Sequence, residues 1–527
     1  MTTRRHLLAA LATAPVTYRA FAEAPPAANA LRRSATAEPQ TLDPQLWTYG
    51  QDGNIAQDCF QSLTTVDAAA ATVPGQAQSW TVSPDGLRYV FTLRRGLMWS
   101  DAVPITSADF LYSFQRLFDP LTAAPAASLL YVIRNARAVN TGKMPVKSLG
   151  VSTPDAHTVQ IELDHPAPYL TEILVHRAFP VPRHALERFG RDWTKPGNFV
   201  CNGAFGLSEW RPGEHVKLVR NARFHQAAQV KLDAVFHIPV EDPGAALRRY
   251  RAGELDVVVN LPSEQLEQIR RDFGSQLHLV QQIGLEYYAF NTRRKPFDDA
   301  RVRRALSMTI ERSLISEKIL RASEPAAFTL VPPGVLNYPQ AGPADFSTWP
   351  RAQRLAEAQR LLAAAGFSTA QPLTLQLRYN NSDTQRKIAV AVASMWQSLG
   401  VRVQLLTADL KVHQQALAQG DFDVARAQWY AEDRDAASFL ELLQSRATVL
   451  NVSGWHDSEF DRLTEIAERT ADLSRRATLM REAELRAMRS QPIAPLYYYV
   501  SRRLIAPRVH GWVDNPRGVN ANRYLSL

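Results

Sequence analysis

Only two cysteines, Cys59 and Cys201, occur in 527 residues, so the fold cannot rest on a disulfide scaffold. They sit in separate apolar contexts, where a single bridge and two buried free thiols are both open. Long apolar runs are missing as well. The N-terminal run, Leu7 to Val16, is interrupted by Pro15 and falls short of the roughly 20 residues that cross a bilayer. The chain lacks a G-x-S-x-G elbow, an H-E-x-x-H pair, a G-x-x-x-x-G-K phosphate loop, a G-x-G-x-x-G fingerprint and a C-x-x-C pair. Its twelve histidines have no metal-ligand spacing, and His165, His176 and His184 are too irregularly placed to share one helical face. Binding without a metal or cofactor is therefore favoured over catalysis, and the chain is read as not an enzyme.

Charge of one sign is not concentrated either. Arg248-Arg249, Arg270-Arg271, Arg293-Arg294 and Arg303-Arg304 are scattered, with acids nearby and no interleaved aromatics, so they are read as solvated faces and not as a nucleic-acid surface. What the N-terminus does hold is a targeting pattern: Arg4-Arg5, the short apolar run, and Ala20-Phe21-Ala22 as a small-x-small cleavage site. Residues 1–22 are expected to be an export signal, by the general or the twin-arginine route, delivering the chain to the periplasm. Their removal takes away Arg4, Arg5 and Arg19 and no acid, lowering the formal charge from +9 to +6. A flexible Ala/Pro stretch, 23–30, follows.

The remainder reads as mixed α/β. A first strand is predicted at Leu31–Ala35, a helix-like run at Gly53–Leu63, and strands and turns from about 74 to 182, interrupted by a helix that Thr106-Ser107-Ala108-Asp109 opens. Ser382-Asp383-Thr384-Gln385 has the form of a capping box for a helix ending at Gly400, after which Val401, Val403 and Leu405 alternate as a strand. The richest segment is Phe422-Asp423-Val424-Ala425-Arg426-Ala427-Gln428-Trp429-Tyr430-Ala431-Glu432. Phe422, Val424 and Ala427 predict a strand with one face in a core, Trp429-Tyr430 an aromatic wall, and Arg426 and Glu432 a positive and a negative grip. In an open α/β sheet ligands sit at strand ends, where this segment leads. His176, within Leu174-Val175-His176-Arg177, is by default a satisfied structural histidine.

Several separated stretches resemble one family, the periplasmic oligopeptide-binding proteins of ABC importers, solute-binding family 5. They are Trp99-Ser100-Asp101, Ser107-Ala108-Asp109-Phe110, Gly197-Asn198, Asn202-Gly203-Ala204-Phe205, Tyr250 to Asp256, Lys295 to Leu306, the 422–440 segment and Tyr497-Tyr498-Tyr499-Val500, in family order. The resemblance implies a type II periplasmic binding protein, or Venus-flytrap, with two hinged mixed α/β lobes and a third. Lobe I would comprise 31–73, 183–283 and 500–527, lobe II 74–182 and lobe III 284–499.

It further implies a monomer that holds a short peptide between lobes I and III, through backbone hydrogen bonds and terminal charge pairs, and delivers it to a membrane permease. By position, Glu432 meets the peptide ammonium, Arg426 a carboxylate, and Gln428, Trp429 and Tyr430 form the ligand-bonding strand. Gln61, Leu63, Ala126 and His176 complete the candidate contacts. The chain also departs from the family pattern. Glu stands for the usual Asp at 432, basic positions read Leu320, Gln385 and Leu417, a cleft Tyr reads Ala126, and the lobe III disulfide positions read Gly284 and Tyr430. These changes point to a shifted repertoire, with a muropeptide-like or non-peptide ligand as the alternative and a periplasmic peptidase behind it.

Overall fold

The structure, a computed structural model, describes residues 29–48, 50–321, 324–431 and 433–527. The expected targeting segment and Glu432 therefore lie outside the described residues.

Ten strands form one mixed sheet: β1 (Ala30–Ala35), β2 (Phe205–Arg211), β3 (His215–Arg220), β4 (Ala234–Pro239), β5 (Val257–Val258), β6 (Leu277–Phe290), β7 (Thr374–Asn380), β8 (Arg402–Ala408), β9 (Val424–Tyr430) and β10 (Ile493–Ile505). Their order is β8-β7-β9-β6-β10-β5-β1-β4-β3-β2. At 14 and 13 residues, β6 and β10 are more than twice the usual strand length. They pair antiparallel from Leu277/Leu504 to Gln281/Val500 and again from Leu285/Tyr498 to Ala289/Ile493, with the main break between Gln281 and Leu285 and a second register shift between Glu286 and Tyr287. On one side of that break β9 joins β6 over Gly284 to Phe290. On the other side β5 joins β10 at Leu504 and Ile505. Among the described residues only the long pair is common to both ends of the sheet.

The cores follow from strand alternation. Beyond the break, Tyr288 and Phe290 of β6 point into a core with Leu377, Ile388 and Trp396. Leu285, Tyr287 and Ala289 point the other way, into a core with Phe439, Phe460 and Met480. Before the break, Leu504 packs with Leu247, Tyr250 and Val258. A separate four-stranded antiparallel sheet, Ala77–Val82, Arg88–Leu93, Thr158–Glu162 and Val151–Asp155, contributes Phe91, Val159 and Ile161 to a core shared with Phe110, Phe114 and Leu31.

Several expectations change. The helix near residue 53 spans Gly50–Cys59, and Phe60 to Ser62 leave it as irregular backbone. The 74–182 region holds more than one helix, Ser107–Phe118 being joined by Leu170–Arg177. Ser382 does cap the helix Asp383–Gln397, accepting from the Gln385 N–H at 3.2 Å. The reciprocal half of the box is not made, because the Ser382 N–H donates to the Asn380 carbonyl at 2.8 Å. Arg303 is not a solvated face: it is buried, and its guanidinium donates to the carbonyls of Ser490 and Gln491 at the C-terminal end of the helix Leu473–Ser490, where a cation complements the helix dipole. Cys59 and Cys201 are both buried free thiols, and burial raises the pKa of each.

Gly203, in the Asn202-Gly203-Ala204 stretch, shows why one sequence motif is fixed. Its N–H donates to the Cys59 carbonyl at 2.7 Å, and an added Cβ would lie 2.4 Å from the Cys59 carbonyl carbon. That neighbour is backbone and cannot swing away. Gly203→Ala is expected to cost about 1–3 kcal/mol or more in urea unfolding, whereas Gly206→Ala, whose nearest neighbour is Cys201 Sγ at 3.4 Å, should cost much less.

Candidate functional site

The site is built on β9 by its two-residue period. Val424, Ala425, Arg426 and Ala427 are all buried, so both faces of this half are covered and not one as the sequence indicated. Val424 belongs to the Trp396 core, and Ala425 and Ala427 to the Phe439 core. Trp429 consequently falls on the face opposite Tyr430, and the expected single aromatic wall is split between two faces.

On the Tyr430 face Arg426 is already engaged. Its Nε donates to Glu286 Oε1 at 2.6 Å and its Nη2 to Glu286 Oε2 at 2.8 Å, with Gln428 Oε1 and the Tyr499 hydroxyl closing the cluster. Glu286 is fully buried and Arg426 nearly so. Burial pulls the guanidinium pKa down, but the Glu286 carboxylate more than restores it, leaving Arg426 above its ordinary value. The carboxylate partner assigned to Arg426 from sequence is thus supplied by the chain itself, and a ligand carboxylate would compete with Glu286.

Gly284 lies directly opposite Tyr430 in the β6–β9 ladder. The Tyr430 ring stacks on Tyr499 with centroids 4.4 Å apart and leaves no room for a side chain at Gly284, where a Cβ would approach the ring to 2.8 Å. An aromatic ring over a glycine occupies the two positions for which the resemblance implied cysteines.

The outer edge of β9 is only half used. β7 pairs with it at Val424 and Ala425 and no further. Because the Ala431 N–H donates to the Ile283 carbonyl, antiparallel alternation turns the backbone groups of Arg426, Gln428 and Tyr430 away from β6. The Arg426 carbonyl accepts from His413 Nε2 at 2.9 Å. Gln428 and Tyr430, both exposed, have no pairing strand on that side among the described residues.

Beyond β9 the loop is acidic but internally paired. Arg434 donates to Glu172 of the helix Leu170–Arg177 through its backbone N–H (2.8 Å), Nε (3.0 Å) and Nη2 (2.7 Å). Asp435 receives both Nη atoms of Arg476, at 2.6 and 2.8 Å. Between them Asp433 is buried and accepts the Asp435 N–H at 2.8 Å. Burial, reinforced by the Asp435 charge, pushes its carboxyl up to about 8.

The other predicted contacts are not gathered around β9. Gln61 is buried, its Oε1 facing His225 Nε2 at 2.7 Å, and it lines a small pocket with Phe60, Val175 and Arg523. Leu63 is a core residue whose carbonyl accepts from Gly75 and Ala77. His176 is buried, and its Nε2 accepts from Arg517 Nη2 at 2.8 Å; burial and that guanidinium hold it neutral, well below the usual imidazole range. Ala126, half-buried, opens the turn Ala127–Leu130. Sequence reasoning missed Glu286, Tyr499 and His413 as members of the site. Glu286 carried a signal, as a lone acid inside the apolar run Ile283 to Phe290.

A match to "Bacterial extracellular solute-binding proteins, family 5 Middle" spans residues 71–450. The chain is 37% identical over 486 residues to the "Probable deoxycholate-binding periplasmic protein YgiS" of Escherichia coli (strain K12), covering 91% of this chain and 90% of that one. It is 36% identical over 487 residues to the "Periplasmic oligopeptide-binding protein OppA" of Salmonella typhimurium, covering 92% and 89%. The solved structure of the Escherichia coli murein tripeptide binding protein MppA superposes with a TM-score of 0.81 at 36% identity, covering 95% of this chain and 98% of that one. The chain belongs to the family 5 bacterial extracellular solute-binding proteins. Its relatives are named as periplasmic binding proteins and not as enzymes, and no described helix is long and apolar enough to cross a membrane.

Two outcomes follow from this geometry. Arg426→Met strands a buried carboxylate and should lower stability by about 3–5 kcal/mol in urea unfolding, while Arg426→Met combined with Glu286→Leu should recover most of that loss. Asp433 keeps its proton in the fold up to about pH 8 but loses it in the unfolded chain near the ordinary aspartate value of 3.8. Stability linked to Asp433 is therefore greatest in acid and falls as pH rises towards 8, by up to about 1.4 kcal/mol per pH unit. Asp433→Asn should flatten that slope; an unchanged slope would assign it to another group.

Proposed function

We propose that this chain is the periplasmic ligand-capturing component of an ABC importer, that it holds a short peptide between its lobes, and that it hands the peptide to a membrane permease without chemical change. The observation that carries this reading is the open outer edge of β9 from Gln428 to Tyr430. An extended peptide laid there adds a strand, and its main-chain hydrogen bonds give affinity without depending on sequence. Similarity to proteins named as oligopeptide- and murein-peptide-binding points the same way.

In this reading lobe I comprises 31–73, 183–283 and 500–527, lobe II 74–182 and lobe III 284–499, and the chain crosses between lobes I and III at the register break in the β6–β10 pair. The ladder is weakest there, so bending costs least. Glu432, two residues beyond the end of β9, receives the peptide ammonium. Arg426 and Glu286 form a neutral floor, so the ligand's carboxylate contributes little through Arg426. A murein-type peptide is the narrower alternative. It is favoured by Leu320, Gln385 and Leu417 standing where the family pattern has basic residues for longer peptides.

Calorimetry with trialanine and its N-acetylated form tests the ammonium assignment. Glu432→Ala should weaken trialanine by about 2–5 kcal/mol and spare the acetylated peptide. Equal losses for both would remove Glu432 from that role, and failure of the wild-type protein to bind any peptide would overturn the reading itself.

A further inference from the structure

A pocket of about 150 Å³ opens beside the outer edge of β9, on its Trp429 face and away from the Arg426–Glu286 cluster. Leu410 and Leu417 of the helix Leu410–Gln419 form one wall, Ala427 and Trp429 the floor, and Val449 and Leu450 the far side. The mouth is apolar and open: Leu410 is 47% and Val449 77% exposed. Its size matches the ~150 Å³ apolar cavity that takes up a benzene ring, so a single aliphatic or aromatic side chain fits it.

The polar groups near these walls are turned away or covered. Trp429 is half-buried, but its Nε1 has no exposed surface, so what the ring presents is carbon. His413 is buried, with Nε2 at 2.9 Å from the Arg426 carbonyl and Nδ1 covered. Among the described residues the lining has no carboxylate, and its one cation, Arg426, is held by Glu286 on the opposite face of the strand. The Gln428 side chain follows it there, accepting from Arg426 and from the Tyr499 hydroxyl. The polar side chains left in the lining, Tyr287 and Gln414, carry no charge. A charged group entering this pocket would lose hydration and find no counter-ion, whereas an apolar one exchanges water for Leu, Val and Trp surface.

We propose that this pocket receives one side chain of the bound peptide and selects it as apolar and uncharged, of valine to phenylalanine size. The inference rests on the peptide reading above and narrows it: affinity through the main chain is indifferent to sequence, but one ligand position is not. Side chains of a strand laid along Gln428 to Tyr430 alternate between the two faces of the sheet. Those on the Arg426 face meet the self-neutralised Arg426–Glu286 floor, and the one on the Trp429 face meets Leu417, Trp429 and Val449. The two faces therefore read the ligand differently, and hydrophobic selection belongs to one of them.

Calorimetry with the whole protein tests this on trialanine and on the set of tripeptides in which Leu, Glu or Lys replaces one Ala at a time. One position, and only one, should favour Leu over both Glu and Lys by at least about tenfold. A photo-reactive leucine at that position should cross-link to residues of the 410–417 or 442–452 segment, located by mass spectrometry of the digested protein. Leu410→Asp combined with Val449→Asp, both at exposed rim positions and checked for an unchanged melting curve, should cut the Leu preference and strengthen the Lys tripeptide severalfold. Should that variant not fold, the wild-type preference and the cross-link decide between them. Tripeptide binding with no such position, cross-links elsewhere, or an unchanged preference in the folded variant overturns the pocket assignment and leaves the peptide reading standing. Absence of any tripeptide binding sinks the peptide reading and this inference with it.

Discussion

The interrupted ladder between β6 and β10 is the constraint on which the rest depends. Among the described residues these strands alone are shared by the two ends of the ten-stranded sheet, and their register slips between Gln281 and Leu285 and again between Glu286 and Tyr287. Burial shows the same division: β6 is partly exposed from Leu277 to Gln282 and fully buried from Ile283 to Phe290. Two ends of the sheet, each with its own apolar cores, are therefore joined by a pair of strands that is continuous covalently and interrupted in hydrogen bonding. This suits a protein that must close over a ligand and then release it.

The break also fixes what β9 can offer. Because β9 joins only the buried half of β6, its odd residues are spent on that ladder and its even residues face outward. The parallel partner β7 stops at Ala425, so the even residues beyond it present main-chain groups at an edge. An exposed edge is ordinarily a liability for aggregation. Here it is short, ends at Tyr430 before the acidic loop, and is overlooked by the helix Leu410–Gln419, whose His413 reaches the Arg426 carbonyl. The charges beneath it are cancelled internally. Glu286 and Arg426 hold each other, Asp433 keeps its proton, and Arg434 and Asp435 have partners. Under the function proposed above, a wall without net charge of its own would accept varied ligand side chains, with the ends of the ligand setting its electrostatic register.

The sequence was most legible where local rules are strong. The Ser382 cap, the strand following Gly400 and the β9 strand were readable from periodicity and capping, and the spaced motifs marked the family. Legibility failed where the decisive partner is distant in sequence. Val424 and Ala427 look like one face in a list of apolar residues, but a strand's period puts them on two. Arg303 reads as half of a solvated pair, and only the fold shows it held by the carbonyl end of a helix 187 positions away. Arg426 looked available until Glu286, 140 positions earlier, was brought opposite it. His413 gave no signal at all, since its contact is with a backbone atom, the Arg426 carbonyl, 13 positions away.

The Gly284–Tyr430 pair shows what stands where the resemblance implied a disulfide. A cross-strand disulfide at these positions would tie β6 to β9 covalently, and such a bond typically contributes about 2–5 kcal/mol. An aromatic stack contributes about 0.5–1.5 kcal/mol beyond its buried area, so the exchange gives up restraint. Its steric effect is nonetheless specific. The Tyr430 ring needs a residue without a Cβ opposite it and a ring beside it, and Gly284 and Tyr499 supply both. The Tyr499 hydroxyl in turn reaches Glu286 and Gln428, at the base of the same wall. In place of a bond linking two strands, the ring couples β9, β6 and β10 at the point where the long strands change register, so the packing at the outer end of β9 and the break in the ladder share one set of contacts.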